Sequence, residues 1–207
     1  DQWGAHEFLK LQQLLNYSTG DAFNYWVASE ESAAPAPQLL ELHRQHKDLS
    51  IRLMNISTAA GIEMLSKSET KPLTSVSWWH VLSDRTVLNP AGFGWRVSPS
   101  IGGLEDRQAI INALHKGLIT AIAVHSIPLD EQEMQLPTDK QSPGISGHHL
   151  VLPSLWQALI KESGWSIEKL WQVLSFGPSR MLNLPEEKLQ KGSRRWLIFN
   201  PNKEWIQ

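Results

Sequence analysis

The sequence predicts an α/β protein with a parallel sheet, and three observations carry this prediction. Helical and strand patterns alternate along the chain, as they do where helices connect parallel strands. One strand pattern, Leu118–Val124, is apolar at nearly every position, which is typical of a strand buried on both faces of a parallel sheet. The helix pattern before it, Glu105–Lys116, ends at Gly117, a common helix stop.

Four barrel-type strands are predicted in chain order, and helices separate them. The strands cover Ala22–Val27, Leu49–Ile56, Leu73–Trp79 and Leu118–Val124. The predicted helices cover Phe8–Leu15, Gln38–Gln45, Ala59–Ser68, Glu105–Lys116, Gly147–Ser163 and Ser166–Phe176. Ser57-Thr58 is the expected cap of the third helix, and Ser166-Ile-Glu-Lys is close to a capping box. Residues 32–37 form a Pro/Ala linker that cannot continue a helix.

The C-terminal sequence predicts a small β subdomain that is separate from this sheet. Short strands are expected at Trp196–Phe199 and Trp205–Ile206, on either side of Asn200-Pro201. We therefore divide the chain into a partial barrel over residues 1–190 and the C-terminal strands of a small β subdomain over residues 191–207.

Composition and charge exclude several classes of function. The net charge is −2 with no basic block, which argues against a nucleic-acid partner. No apolar run approaches the length that spans a bilayer, and the N-terminus is not a signal peptide. There is no Cys, so disulfides, thiolate metal sites and Cys nucleophiles are excluded. We expect a cytoplasmic protein, and because the chain starts at Asp1 rather than Met, a fragment or a processed product.

The chain is rich in tryptophan, with ten residues of this type. Trp78 and Trp79 are adjacent, and three more lie within residues 156–171. Trp combines a large apolar body with one N–H donor and suits both cores and interfaces. The tryptophans could therefore either fill the core or form an interface surface, and the sequence alone does not decide between these locations.

The number of predicted strands limits the architecture. A TIM-type barrel needs eight strands, and four parallel strands in an open row would leave bare edges. The chain is therefore either a small open α/β sheet or part of a (β/α) barrel with about four parallel strands.

Six segments, in order, resemble the dihydroorotases of the amidohydrolase superfamily, and especially divergent dihydroorotase-like proteins of cyanobacterial type. The segments are Leu53–Met64, Ser98–Ala109, Ile119–Pro128, Pro143–Pro153, Leu174–Leu184 and Leu197–Trp205. They are similar to the family's "H-L-S-T-A", "N-P-P-L-R…D-R-Q-A", "T-D-H-A-P", "G-I-S-G", "N-P-A-R" and "D-P" signatures. The resemblance implies the C-terminal half of a TIM-type barrel enzyme of pyrimidine biosynthesis, without the half that carries the family's H-x-H metal motif.

The resemblance also implies that the metal positions are replaced. Hydrolysis of a cyclic amide needs a hydroxide at neutral pH, and metal ions supply it by lowering the pKa of bound water. The family's two His ligands from this half fall on Trp26 and Asn55, and its Asp, both ligand and proton shuttle, falls on His125. Indole has no lone pair for a metal, and an amide oxygen is a weak zinc ligand. We therefore expect no metal and no catalytic residue, although His125 occupies the family Asp position.

The family's substrate positions are also changed, whereas its scaffold signatures remain. The Asn and Arg of "N-P-P-L-R" fall on Ser98 and Gly102, so the guanidinium that would bind a carboxylate is missing. The two later His positions of the family fall on Ser126 and Leu129. Asp106-Arg107, Gly144–Gly147 and Pro178–Arg180 remain.

Other histidines are weaker candidates. His148 and His149 could join His125 in a new metal site only if the fold brings all three together. Neighbours at a helix start diverge by about 100°, so local hydrogen bonding is expected instead. His80, beside the end of the third strand, is expected to be structural.

Three functions follow from these residues. The favoured one is a dihydroorotase-like barrel part without catalysis, which serves as a structural or interaction module. The resemblance suggests aspartate transcarbamoylase, self-association or a missing N-terminal barrel half as its partner. The alternative is a zinc-dependent cyclic amide hydrolase completed by that half or by a partner chain. The third is a small-molecule binder whose site would be lined by Trp26, Trp79 and His125.

Overall fold

The protein contains a four-stranded parallel sheet, which confirms the predicted class. The computed structural model describes residues 40–41, 43–47, 50–88, 97, 99–124, 130–137, 140, 147–185, 190–193 and 198–203, and the backbone of 24–28. The strands are β1 (Asn24–Ala28), β2 (Ser50–Met54), β3 (Leu73–Ser77) and β4 (Ala121–Ala123). They lie side by side in chain order, and every neighbouring pair is parallel.

β2, β3 and β4 are shorter than predicted, and the predicted end of β3 is helical. Trp78 and Trp79 were expected in the strand but lie in the short helix α1 (Trp78–Leu82). The strand prediction for these residues is therefore wrong. Burial explains the difference, because Trp78 is inserted into the core from the helix rather than from the sheet. At β4 the apolar run begins with a turn, where Leu118 and Ile119 donate to the carbonyl of Ala113.

Two longer helices confirm the predicted start and stop signals. Helix α2 (Ala59–Lys67) begins at Thr58, whose hydroxyl accepts a hydrogen bond from the Gly61 amide. Helix α3 (Leu104–Lys116) ends at Gly117, which has a φ of 77°. Its last carbonyls accept bonds from Gly117 and Leu118 in the pattern of a Schellman motif. Helical residues also occur at 40–41 and 43–45, within the predicted Gln38–Gln45.

A four-residue helix, α4 (Glu131–Met134), lies in a region for which no helix was predicted. The Asp130 carboxylate accepts a hydrogen bond from the Glu133 amide, and the Glu133 carboxylate accepts one from the Asp130 amide. The two residues therefore form a capping box. The signal was present in the sequence, but the segment is too short to show apolar periodicity.

The C-terminal helices differ from the predicted pair in their hydrogen bonding. The first runs as a 3₁₀ turn (His148–Leu150), α5 (Val151–Leu155) and a wider π segment (Trp156–Glu162). The second begins at Ser166, which caps it as expected, with α6 (Ile167–Trp171). It continues through a π segment (Gln172–Phe176) into α7 (Gly177–Met181).

The predicted end of the second helix at Phe176 is wrong. Gly177-Pro178 normally breaks a helix, because proline lacks an N–H group and its ring clashes with the carbonyl four residues earlier. Here the π segment widens the turn before Pro178, which then stands in the first turn of α7. The chain therefore stays helical as far as Met181.

The core lies between the sheet and the helices. Alternate strand residues such as Ile51, Leu53, Val76 and Ile122 pack in one cluster with helix residues that include Leu65, Ile110, Leu114, Leu159 and Leu170. By alternation and register, Arg52, Met54, Ser75, Ser77, Ala121 and Ala123 point to the other face. The sheet thus has an apolar face towards the helices, and its opposite face carries Arg52, Met54 and small residues.

The C-terminal part of the chain is described in pieces. Residues 198–200 have irregular backbone, so the strand predicted over Trp196–Phe199 does not extend through its last two residues. The rings of Phe199 and Trp156 lie 5.2 Å apart, which places this segment against the first C-terminal helix. Trp205–Ile206 lie outside the described residues, as do Phe8–Leu15. Within the described ranges, no helix combines the length and apolarity needed to cross a membrane.

Candidate functional site

The carboxyl ends of the parallel strands form the candidate site, because the loops that follow them meet at one edge of the sheet. The positions of interest lie there. Asn55 follows β2, the pair Trp78-Trp79 follows β3, and His125 comes two residues after β4. Trp26 lies within β1, opposite Arg52 in the backbone register. The Trp26 side chain and the whole of His125 lie outside the described residues.

Asn55 has an unusual backbone conformation at the end of β2. Its φ is 57°, in the left-handed region that asparagine tolerates better than most residues with a Cβ. Its amide donates to the Ser75 hydroxyl at 3.4 Å, and the next amide, of Ile56, donates to the Ser75 carbonyl at 3.0 Å. The side chain is buried. β3 therefore fixes the backbone at the position where the resemblance places a histidine ligand.

The end of β3 is filled by large aromatic and imidazole groups. The rings of Trp78 and Trp79 lie 4.4 Å apart at an angle of 42°. His80 is buried, and its Nε2 lies 3.1 Å from the carbonyl oxygen of Ser100. This contact ties α1 to the loop before α3, and it fits the structural role expected for His80.

Gly102 lies in that loop and has no room for a side chain. A Cβ atom built on Gly102 would lie 2.8 Å from the Cβ of Asp106. The guanidinium of Arg85 lies 3.7 Å from the corresponding point on Gly103. The backbone around Gly102 is thus packed against the first turn of α3, at the position where the resemblance places an arginine.

Asp106 connects the starts of two helices. One of its carboxylate oxygens accepts from the Ala59 amide at 2.8 Å, at the start of α2, and the other accepts from the Gly103 amide at 2.8 Å, at the cap of α3. A carboxylate suits this place because both helix N-termini present unpaired N–H groups and a partial positive charge. Ala59 is four residues after Asn55, so Asp106 also holds the loop that carries the candidate ligand position.

Arg107 extends this connection to α1. Its Nε donates to the Val81 carbonyl at 2.9 Å, near the end of that helix. The Asp106-Arg107 pair, recognised in the sequence as a scaffold signature, therefore joins α1, α2 and α3 at one edge of the sheet.

Arg52 is a buried charge on the face of the sheet away from the helices. It is 1% exposed, and its Nη2 donates to the Asn183 side-chain oxygen at 2.7 Å. Burial lowers the pKa of the guanidinium, which nevertheless stays charged at neutral pH. The sequence analysis did not select Arg52. A charged residue inside an otherwise apolar strand pattern was the signal that could have identified it.

The described residues do not bring the weaker histidine candidates into a metal site. His148 and His149 are exposed in the 3₁₀ turn that begins the first C-terminal helix. No group of three or more His, Asp or Glu side chains that could hold a metal occurs in the part of the chain that the structure describes. Ser98, Ser126 and Leu129 lie outside that part.

Comparisons with known proteins agree with the motifs and the topology. The chain is 32% identical over 187 residues to a probable dihydroorotase-like protein from Synechocystis, a match that covers 84% of this chain and 40% of that protein. It is 28% identical over 212 residues to the dihydroorotase of Aquifex aeolicus, which covers 93% of this chain and 50% of that enzyme. No protein-family model matches.

Solved structures give the same fold. The dihydroorotase of Campylobacter jejuni superposes with a TM-score of 0.60 at 19% identity, over 79% of this chain and 49% of that one. The inactive dihydroorotase-like domain of a CAD-like multifunctional protein from Chaetomium thermophilum superposes with a TM-score of 0.60 at 13% identity, over 86% and 49%. The chain thus spans about half the length of the proteins that it matches. By its sequence matches and its parallel sheet, the chain belongs to the dihydroorotase-like proteins of the amidohydrolase fold.

Proposed function

We propose that this chain is the C-terminal half of a dihydroorotase-like barrel that has lost its metal site and serves as a structural or interaction module. The proposal depends on two neighbouring features: a scaffold hydrogen bond that is present and a ligand residue that is replaced. The scaffold contact from Asp106 to Ala59 is intact at 2.8 Å, whereas Asn55, four residues earlier, stands where a histidine ligand would be needed. The fold has kept the bonds that position this loop without keeping the ligand that the loop would present.

The donor chemistry at the three ligand positions supports the loss of the metal. A two-metal site needs several imidazole and carboxylate donors at the strand ends. Trp26 offers an indole without a lone pair, and Asn55 offers a buried amide. His125 could bind a metal but is not a carboxylate able to shuttle a proton. These residues do not fit a dihydroorotase-type zinc centre.

The packing around Gly102 supports the loss of substrate binding. A side chain at this position would overlap Asp106, and Asp106 is fixed by its two bonds to helix starts. An arginine at position 102 would therefore require the backbone of the loop to move. Restoring the carboxylate-binding group would compete with the bonds that hold the three helices together.

The partner is proposed from the relatives. The Chaetomium thermophilum domain is described as an inactive dihydroorotase-like domain within a multifunctional protein, which is a precedent for this fold as a part of a larger assembly. We propose a protein partner for this chain in a cytoplasmic setting, with aspartate transcarbamoylase and a missing N-terminal barrel half as the candidates.

Metal content and activity test the proposal together. The chain is purified after growth with added zinc, alone and mixed with the part of the Synechocystis relative that it does not match. We expect substoichiometric zinc and no hydrolysis of dihydroorotate in either sample. The Aquifex aeolicus enzyme, treated identically, is the positive control. Stoichiometric zinc together with hydrolysis would overturn the proposal and favour the alternative, a zinc-dependent hydrolase that uses His125, His148 and His149.

A further inference from the structure

We draw no further inference here: the strongest candidate, the exposed surface patch of Arg85, Val87 and Leu104 beside the start of α3, carries no proposal, because nothing in the described part of the chain shows what covers it.

Discussion

At the scale of single residues, Asp106 makes the contacts that hold the candidate site together. Its two carboxylate oxygens accept hydrogen bonds from the amides at two helix starts, Ala59 in α2 and Gly103 before α3. A neutral side chain could not serve both equally, because each N–H group also carries the partial charge of its helix terminus. The residue is therefore required by the fold, whether or not the site has chemistry.

Replacing Asp106 should destabilise the whole sheet edge. We expect Asp106→Ala to lower the free energy of unfolding by about 2–3 kcal/mol, the loss of two capping bonds to one carboxylate. Asp106→Asn should cost less, because one acceptor oxygen remains. Urea unfolding followed by tryptophan fluorescence measures both. Glu105→Gln is the control, since Glu105 is an exposed neighbour in the same turn. Equal losses for Glu105→Gln and Asp106→Ala would refute the role of the two bonds.

His43 makes the stability depend on pH. Burial lowers the pKa of its imidazole below the ordinary value of 6.5, because the charged form loses hydration. The unfolded chain then binds more protons, so this contribution to stability is present above pH 6.5 and is lost as the pH falls through the folded pKa. In His43→Gln, the decrease in stability below pH 6.5 should be smaller than in the parent chain. Urea midpoints across this range check it, and an unchanged pH dependence would contradict it.

At the scale of elements, α7 lies against the start of β4 so closely that only glycine fits at the contact. A Cβ on Gly177 would overlap the Thr120 carbonyl and lie 2.8 Å from the Gln172 carbonyl. Both are backbone atoms, so neither can rotate away. The contact therefore requires glycine at position 177.

Gly177→Ala should therefore be strongly destabilising. We expect about 3 kcal/mol or more, because a single methyl group must push α7 away from the sheet. Gly164→Ala is a matched control: its φ of 69° costs about 1 kcal/mol for a residue with a Cβ, but its surroundings are open. Thermal unfolding of the two variants separates packing from backbone conformation. A Gly177→Ala variant no less stable than Gly164→Ala would show that the contact relaxes.

The predicted elements also show where sequence reasoning works and where it stops. Strand order, the Thr58 and Ser166 caps and the Gly117 stop depend on local chemistry and were predicted. The helix at Trp78–Leu82 and the π segments depend on packing between distant parts of the chain, which local patterns do not encode. For the site, the resemblance in the sequence predicts that Asn55 and Gly102 are altered positions. It could not show that Asp106 occupies the space at Gly102.

At the scale of the whole molecule, one hydrogen bond joins residues 131 positions apart. Arg52 on β2 holds Asn183, the residue that ends the last described helix. Asn183 has a φ of 51°, and the Leu184 and Asn183 amides close the helix with bonds to Ser179 and Arg180 in the pattern of a Schellman motif. Asn183 therefore has two separable roles. Its backbone ends α7, and its side-chain oxygen binds Arg52 and so connects that helix end to β2.

A substitution can separate these roles, because glycine adopts the left-handed conformation even more readily than asparagine. In Asn183→Gly the helix end should persist while the bond to Arg52 is lost. We expect the free energy of unfolding to fall by about 1–3 kcal/mol, the range for hydrogen bonds to charged groups. Asn183→Asp, which keeps the acceptor and adds a charge, should retain more stability than Asn183→Gly. Hydrogen exchange should then show faster exchange in both β2 and α7, because the bond connects them. If exchange rises in α7 alone, Asn183 acts as a local helix stop, and β2 does not depend on its bond to Asn183.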